Sequence, residues 1–516
     1  MQNRNNLFRA AGIIGFFTLL SRFVGLYRDR LFAGTFGAGD ILDAYNASFR
    51  LPDLIFNLLI LGTLSVAFIP VLSEYFVRDE EEAKRITNTM LSVTFVFMGL
   101  LCAVMYFFVP QITHLIAPGF TGQKYLNAVK LTKIFLLSPI IFTVSNVFSS
   151  YLNSLKRFFI VSLAPILYNF GIIIGAKYFY PHYGIIGLGY GVILGALAHL
   201  VIQMLASAHA GLAIRPNFNI NHPAVRKIGK LFLPRIFGMD QSQFSLIIAS
   251  IYGSMLASGT ITIFSFANNL QAVPIGIFAL SFAIAVFPQL SEAFARKDEK
   301  EFSGLLSRTI INILFFVIPI SILIILLRAQ IVRVILGSGR FDWQATKLTA
   351  NALGIFAISI FSQSLTPLFS RSFFARQNTR TPVYIGLFTL SLNGILSFFF
   401  ARAYGVLGLA GAFAGASIID NLILLYFLRR HIKMEDAYIS KAIGKILLAT
   451  AGMAVVTYVS LYVIAAALGL TTGIHVLIQG VVSGLLGVAA FVLFSKWLKI
   501  SQAEGAIRIV KKRIFG

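Results

Sequence analysis

The sequence predicts an all-α polytopic membrane protein with about 14 transmembrane helices, laid out as two parallel six-helix repeats and a C-terminal helix pair. Three observations lead there. Of the 516 residues, 57% are hydrophobic and 12% charged, about half the charged share of a soluble domain, which is roughly 25%. Apolar stretches long enough to cross a bilayer recur along the whole chain. The chain also repeats itself at an offset of about 220 residues, in blocks that keep their order.

The spans centre near Phe17, Leu59, Val96, Pro139, Ile172, Leu194, Ile247, Phe278, Val317, Ile360, Leu390, Ala416, Val456 and Leu486. The first apolar run has no small-residue cleavage site and reads as a span, not a signal peptide. The repeat ties spans two, four to five and six to their counterparts. Pro70, Ser73, Glu74, Phe76 and Arg78 return as Pro288, Ser291, Glu292, Phe294 and Arg296. Tyr183, Gly184, Gly187 and Leu188 return as Tyr404, Gly405, Gly408 and Leu409, and Arg157 to Asn169 more loosely as Arg380 to Asn393. Six spans per repeat is an even number, so both repeats enter from the same face and are parallel, related by an axis along the membrane normal. The expected units are residues 1–215 (spans one to six), 216–432 (spans seven to twelve), and 433–516 (spans thirteen and fourteen with a basic tail).

The formal charge of +24 is carried by bases at span ends rather than on one soluble face, which argues against nucleic acid as a partner. Bases gather in alternate connections, such as Arg78, Lys84 and Arg85, then Lys156 and Arg157, then Arg215, Arg226 and Lys227. The positive-inside rule then puts both termini in the cytoplasm. Arg328, Arg333, Arg340 and Lys347 dissent: either an interfacial helix lies there or the span count shifts by one.

Ionisable residues inside spans are costly unless they face a cavity or a partner. The first two spans hold Arg22, Arg28, Asp29, Asp43, Arg50 and Asp53, and span seven holds Arg235 and Asp240. Arg22, some fifteen residues into its span, and Arg235 favour a water-filled cationic cavity. Arg28, Asp29 and Asp43 are equally open to an internal ion-paired brace. A cationic cavity implies an anionic substrate, and the planar guanidinium suits phosphate. Pro52, Pro139, Pro165, Pro234, Pro274 and Pro367 give the spans points of bending. The single cysteine, Cys102, leaves no disulfide framework. No P-loop, HExxH or metal-spaced His cluster is present, so neither an enzyme, a metal site nor a cofactor is expected.

Taken together, several segments resemble one family across nearly the whole chain. Leu20-Ser21-Arg22, Gly25, Arg28-Asp29, Asp43-Ala44-Tyr45, Arg50-Leu51-Pro52-Asp53, Ala117-Pro118-Gly119-Phe120, Arg157-Phe158, Ser242-Gln243 and Arg371 to Pro382 are similar to the MurJ (MviN) flippases of the MOP exporter superfamily. The resemblance implies alternating access between two lobes around a cationic cavity in a bacterial inner membrane. It implies a lipid substrate, an undecaprenyl-diphosphate-linked glycan (lipid II), and a lipid-tail groove in the last two spans. Cell-wall synthesis enzymes and membrane lipids are natural partners. Arg22, Arg28 and Asp43 match family positions tied to function, and Asp29 matches the signature. The chain departs from the pattern where Phe56-Asn57 stand for a basic pair, where Ile60-Leu61-Gly62 lack a glutamate, and where Asn269 stands for an arginine. Arg50 and Arg235 are the expected replacements for that charge. The departures keep open a flippase for another polyprenyl-linked glycan, such as an O-antigen or capsule unit. A MATE-type cation antiporter would want an acidic cavity instead. Ala249 and Ser397 stand at the sodium-site positions of some relatives, so no sodium is expected there.

Overall fold

The structure is a computed structural model that describes residues 2–58, 64–236, 241–469 and 472–503. Among the described residues every regular element is a helix, and ten stretches are long and apolar enough to cross a membrane. In a medium without water each backbone N–H and C=O must be satisfied within its own segment, which leaves the helix as the solution for such a sequence. The chain divides into two compact units, Met1–Thr262 and Ile263–Gly516.

The first unit opens with α1 (Gln2–Phe36), α2 (Asp40–Ser48), α3 (Arg50–Phe56) and α4 (Leu64–Arg78). It continues with α5 (Glu80–Ile116), α6 (Gly122–Phe135), α7 (Leu137–Ser154), α8 (Phe158–Ile174), α9 (Tyr180–Tyr183) and α10 (Ile185–His209). It ends with α11 (Pro223–Ile236) and α12 (Gln241–Ser254). α5 begins at Asp79, whose carboxylate accepts from the Glu82 N–H at 3.0 Å. Glu80, Glu81 and Glu82 follow in its first turn, where the helix dipole favours negative charge. α8 and α10 touch backbone to backbone. A Cβ on Gly171 would land on Gly195, and one on Gly175 would land on Gly191, the small-residue packing that lets membrane helices come close. A π-turn, Gly175–Phe179, continues α8 toward α9.

The second unit takes in most of α13 (Thr260–Pro274), then α14 (Leu280–Ala295), α15 (Glu299–Ile335), α16 (Trp343–Ala375), α17 (Arg380–His431), α18 (Asp436–Leu468) and α19 (Gly473–Trp497). α17 holds two of the expected spans and turns sharply at Gly405, where φ is 58° and ψ is −134°. α18 and α19 lie against α15, with Ile311, Phe315, Ile446, Met453 and Phe491 in one core. Gln330 of α15 donates to Gln479 of α19 at 3.0 Å, and Gln479 donates on to the Leu461 carbonyl at 2.8 Å.

The four dissenting bases fall on and between the ends of two long helices. α15 runs unbroken through Arg328 and Arg333, and α16 starts at Trp343, so no separate interfacial helix lies between them. A 37-residue helix is about 55 Å long, against a hydrocarbon core of about 30 Å. The helix is therefore longer than the apolar zone by several turns. The Arg333 guanidinium sits over the Trp343 ring at 5.6 Å.

The repeat seen in the sequence is a repeat of backbone devices. α5 and α15 are both 37 residues, and each is capped by an aspartate, Asp79 or Asp298, accepting from the N–H three residues on. Gly184 and Gly405 both take φ of 58°. Three residues later, a Cβ on Gly187 would strike the Phe179 carbonyl, and one on Gly408 the Phe400 carbonyl. This explains why the Tyr-Gly-x-x-Gly-Leu block recurs. The first glycine reverses the chain in a left-handed conformation, and the second lets the next helix fold back against the last turn of the one before.

Candidate functional site: a polar cluster in the first unit

Among the described residues, the buried charged side chains of the first unit are Asp29, Asp43 and Arg50. They form three separate constellations. On α1, Arg28 holds the neighbouring Asp29 through Nε and Nη2 at 3.1 and 2.8 Å. Its Nη1 donates to Asn169 Oδ1 on α8 at 2.9 Å. Asn169 is itself oriented by donating from Nδ2 to the Pro165 carbonyl at 3.0 Å. The fork thus links α1 to α8, with the guanidinium side chain one-quarter exposed.

Asp43, on α2, is 1% exposed and brings four donors together. Lys124 Nζ lies at 2.9 Å, Gly259 N–H at 2.8 Å, Thr262 N–H at 2.9 Å and Thr262 Oγ1 at 2.7 Å. Lys124 also reaches Asp40 at 2.7 Å. A carboxylate with its lone pairs engaged by backbone amides and a lysine is a brace. It ties α2 and α6 to the start of α13 and leaves little capacity for a ligand.

Arg50, on α3, donates from Nε to Ser250 Oγ of α12 at 2.9 Å, and Ser250 passes a bond to the Leu246 carbonyl at 3.0 Å. Asp53 is one turn along α3 from Arg50 and interacts with its charge. Arg22 is exposed on α1, six residues from Arg28 and outside its cluster. The side chain of Arg235 and the whole of Asp240 lie outside the described residues, as do Ile60, Leu61 and Gly62.

Beside these charges the helices α3, α7, α8 and α10 line a half-open cavity of about 430 Å³. Asp53, Phe56, Asn57, Asn146, Tyr168 and His199 are among its walls. Ser145 Oγ lies 2.7 Å from His199 Nδ1, and Gln203 reaches the same nitrogen at 3.3 Å. The sequence singled out neither this cavity nor the role of Lys124, because a pocket is made by residues that the chain scatters over about 150 positions.

The second unit buries one charged side chain among the described residues, Asp420 of α17. It accepts from Thr389 Oγ1 at 3.0 Å and Thr366 Oγ1 at 3.4 Å. The rule that selected Arg22 also selects Asp420, which lies inside the apolar run Ile418, Ile419 and Leu422.

A multi-pass helical bundle of two repeated halves, with charged side chains buried in its spans, has the fold of the MOP-type membrane transporters. The solved inward-facing structure of a multidrug resistance MATE transporter of that superfamily shares the fold, at TM-score 0.67 and 15% identity over 80% of this chain and 94% of that one. The particular family is narrower. The family described as lipid II flippase MurJ matches residues 32–479. A probable lipid II flippase MurJ of Buchnera aphidicola subsp. Acyrthosiphon pisum is 30% identical over 89% of this chain and 91% of that protein. The lipid II flippase MurJ of Burkholderia cenocepacia is 27% identical over 82% and 84%. A solved lipid II flippase MurJ, in an inward closed conformation, superposes with TM-score 0.76 at 26% identity, covering 93% of this chain and 97% of that one. The chain belongs to the MurJ lipid II flippase family.

Proposed function

We propose that this protein is a lipid II flippase, carrying an undecaprenyl-diphosphate-linked peptidoglycan precursor from the inner to the outer leaflet by alternating access. The family supports the substrate class. The observation that carries the reading to this chain is the Arg28 fork, a guanidinium kept charged beside Asp29 and Asn169 and still one-quarter exposed. Arg28 contacts the diphosphate, with Arg22, Arg50 and Arg235 adding positive potential. Asp29 orients Arg28, and Asp43 keeps the ends of the first-unit helices together. The protein sits in the cytoplasmic membrane with both termini in the cytoplasm, following its basic connections. An inside-negative potential drives an anionic headgroup outward, worth about 2.3 kcal/mol per charge at 100 mV. The reaction needs no chemical step, so the protein acts as a carrier and not a catalyst.

The test is complementation. This chain, expressed in a bacterium depleted of its own lipid II flippase, is expected to restore growth and outer-leaflet lipid II. Arg28→Ala is expected to abolish the rescue at equal membrane abundance. A well-expressed wild-type chain that fails to rescue would count against lipid II. A second reading, transport of another polyprenyl-linked glycan, is favoured by Phe56 and Asn57, which put an aromatic ring and an amide on the cavity wall in place of two bases.

A further inference from the structure

We propose that the cavity between α3, α7, α8 and α10 is a saccharide subsite, taking the first sugars of the carrier while Arg28 holds its diphosphate. The proposal rests on the flippase reading above. Four observations support it. The first is chemistry. The cavity wall carries a carboxylate (Asp53), two amides (Asn57, Asn146) and the Ser149 hydroxyl, all groups that pair with sugar hydroxyls and N-acetyl groups. The second is an aromatic face. Phe142 lies edge-on to Tyr168 at 5.1 Å and beside Phe56 at 5.5 Å. These rings offer an apolar surface to the C–H face of a pyranose.

The third is charge. Among the described lining residues there is no Lys or Arg, and Asp53 is one of them, so this wall offers acceptors to a neutral polar group rather than cations to a diphosphate. The fourth is size and position. At about 430 Å³ the cavity has room for on the order of ten waters, which is more than one ion's shell needs. It falls within the roughly 300–1,000 Å³ of small-molecule sites. Tyr168 lines it, and the next residue, Asn169, is the one bound to Arg28. The diphosphate cation and the sugar pocket are therefore adjacent along α8, in the order in which a polyprenyl-diphosphate glycan presents them.

The experiment compares two carriers on the full chain in nanodiscs: undecaprenyl diphosphate, which has no sugar, and lipid II. Wild type is expected to bind lipid II at least about tenfold more tightly, the equivalent of one or two well-placed hydrogen bonds. Asn57→Leu and Phe142→Ala, each checked for wild-type thermal unfolding, are expected to bring that ratio toward one and leave sugar-free binding unchanged. Arg28→Ala is expected to weaken both carriers together. Equal wild-type binding of the two carriers, or variants that weaken both alike, overturns the subsite and leaves the flippase reading standing. Binding of neither carrier overturns that reading and the subsite with it. If Asp53→Asn changes the pH dependence of transport and leaves the carrier ratio intact, the cavity is a protonation site and the proposal fails. That outcome would involve Asp53 and His199 on its walls, with Arg50, Arg28, Asp29, Tyr45, Tyr168, Tyr151 and Tyr252 on the helices packed around them.

Discussion

The two repeats share a backbone plan and differ in what they bury. Equivalent helices carry equivalent caps at Asp79 and Asp298, equivalent reversals at Gly184 and Gly405, and equivalent close approaches at Gly187 and Gly408. Among the described residues, the first unit nevertheless buries Asp29, Asp43 and Arg50, and the second buries Asp420 alone. The loosely matched pair Asn169 and Asn393 shows the divergence at one position. Asn169 receives an arginine from α1, and Asn393 receives only the Ser397 hydroxyl, at 3.4 Å. What duplication preserved is the set of residues that make the chain turn and start helices. What it released is the set of buried charges. Among the described residues, buried charge is therefore concentrated in the first unit.

The sharpest way to break this comparison is to remove the buried carboxylates. Asp43→Ala leaves Lys124 paired with Asp40 alone and strands two backbone donors and the Thr262 hydroxyl in the interior, and is expected to lower unfolding stability by about 3–5 kcal/mol. Asp420→Ala removes the acceptor of the Thr389 and Thr366 hydroxyls, each with a helix carbonyl in reach, and is expected to cost about 1–3 kcal/mol. Equal losses in thermal or denaturant unfolding would show the two units to be electrostatically alike.

Next come the close approaches. Gly187→Ala and Gly408→Ala each push a methyl into a backbone carbonyl and should each cost about 1–3 kcal/mol, by similar amounts. A further pair sharpens the contrast. Gly191 packs onto Gly175, and its counterpart in the second unit is Ala412. Gly191→Ala is expected to destabilise in the same range, while Ala412→Gly should change stability by about 1 kcal/mol or less.

Transport separates the units differently. Arg28→Lys keeps the charge but loses the fork that reaches Asp29 and Asn169 together. Flux of the lipid carrier is expected to fall by about tenfold, with expression unchanged. The smallest effects belong to the caps. Asp79→Ala and Asp298→Ala should each cost about 1 kcal/mol in thermal unfolding, and equally. A clear inequality would show that one of these long helices depends on its cap more than the repeat suggests.

Helices, their order and the repeat were legible because hydropathy and Pro-Gly punctuation are local signals. The intramembrane charges were legible for the same reason, since an Arg inside an apolar run needs no partner to be noticed. Their roles were not legible. Arg28 and Asp29 emerged as one fork and Asp43 as a brace because of Asn169, Lys124, Gly259 and Thr262, which lie up to 219 positions away. That Arg22 and Arg28 need not share a face was legible, since six residues turn a helix through about 240°.

The sequence by itself determined that this chain is helical, crosses the membrane many times, and is built twice over. Those properties follow from composition and from residues acting on their immediate neighbours. Only the tertiary structure decided which intramembrane charge keeps partial exposure, as Arg28 does, and which is consumed in holding helices together, as Asp43 is. It also decided that four helices line one cavity. Burial and hydrogen-bond satisfaction depend on what packs opposite a side chain, and in a helical bundle that neighbour comes from another span.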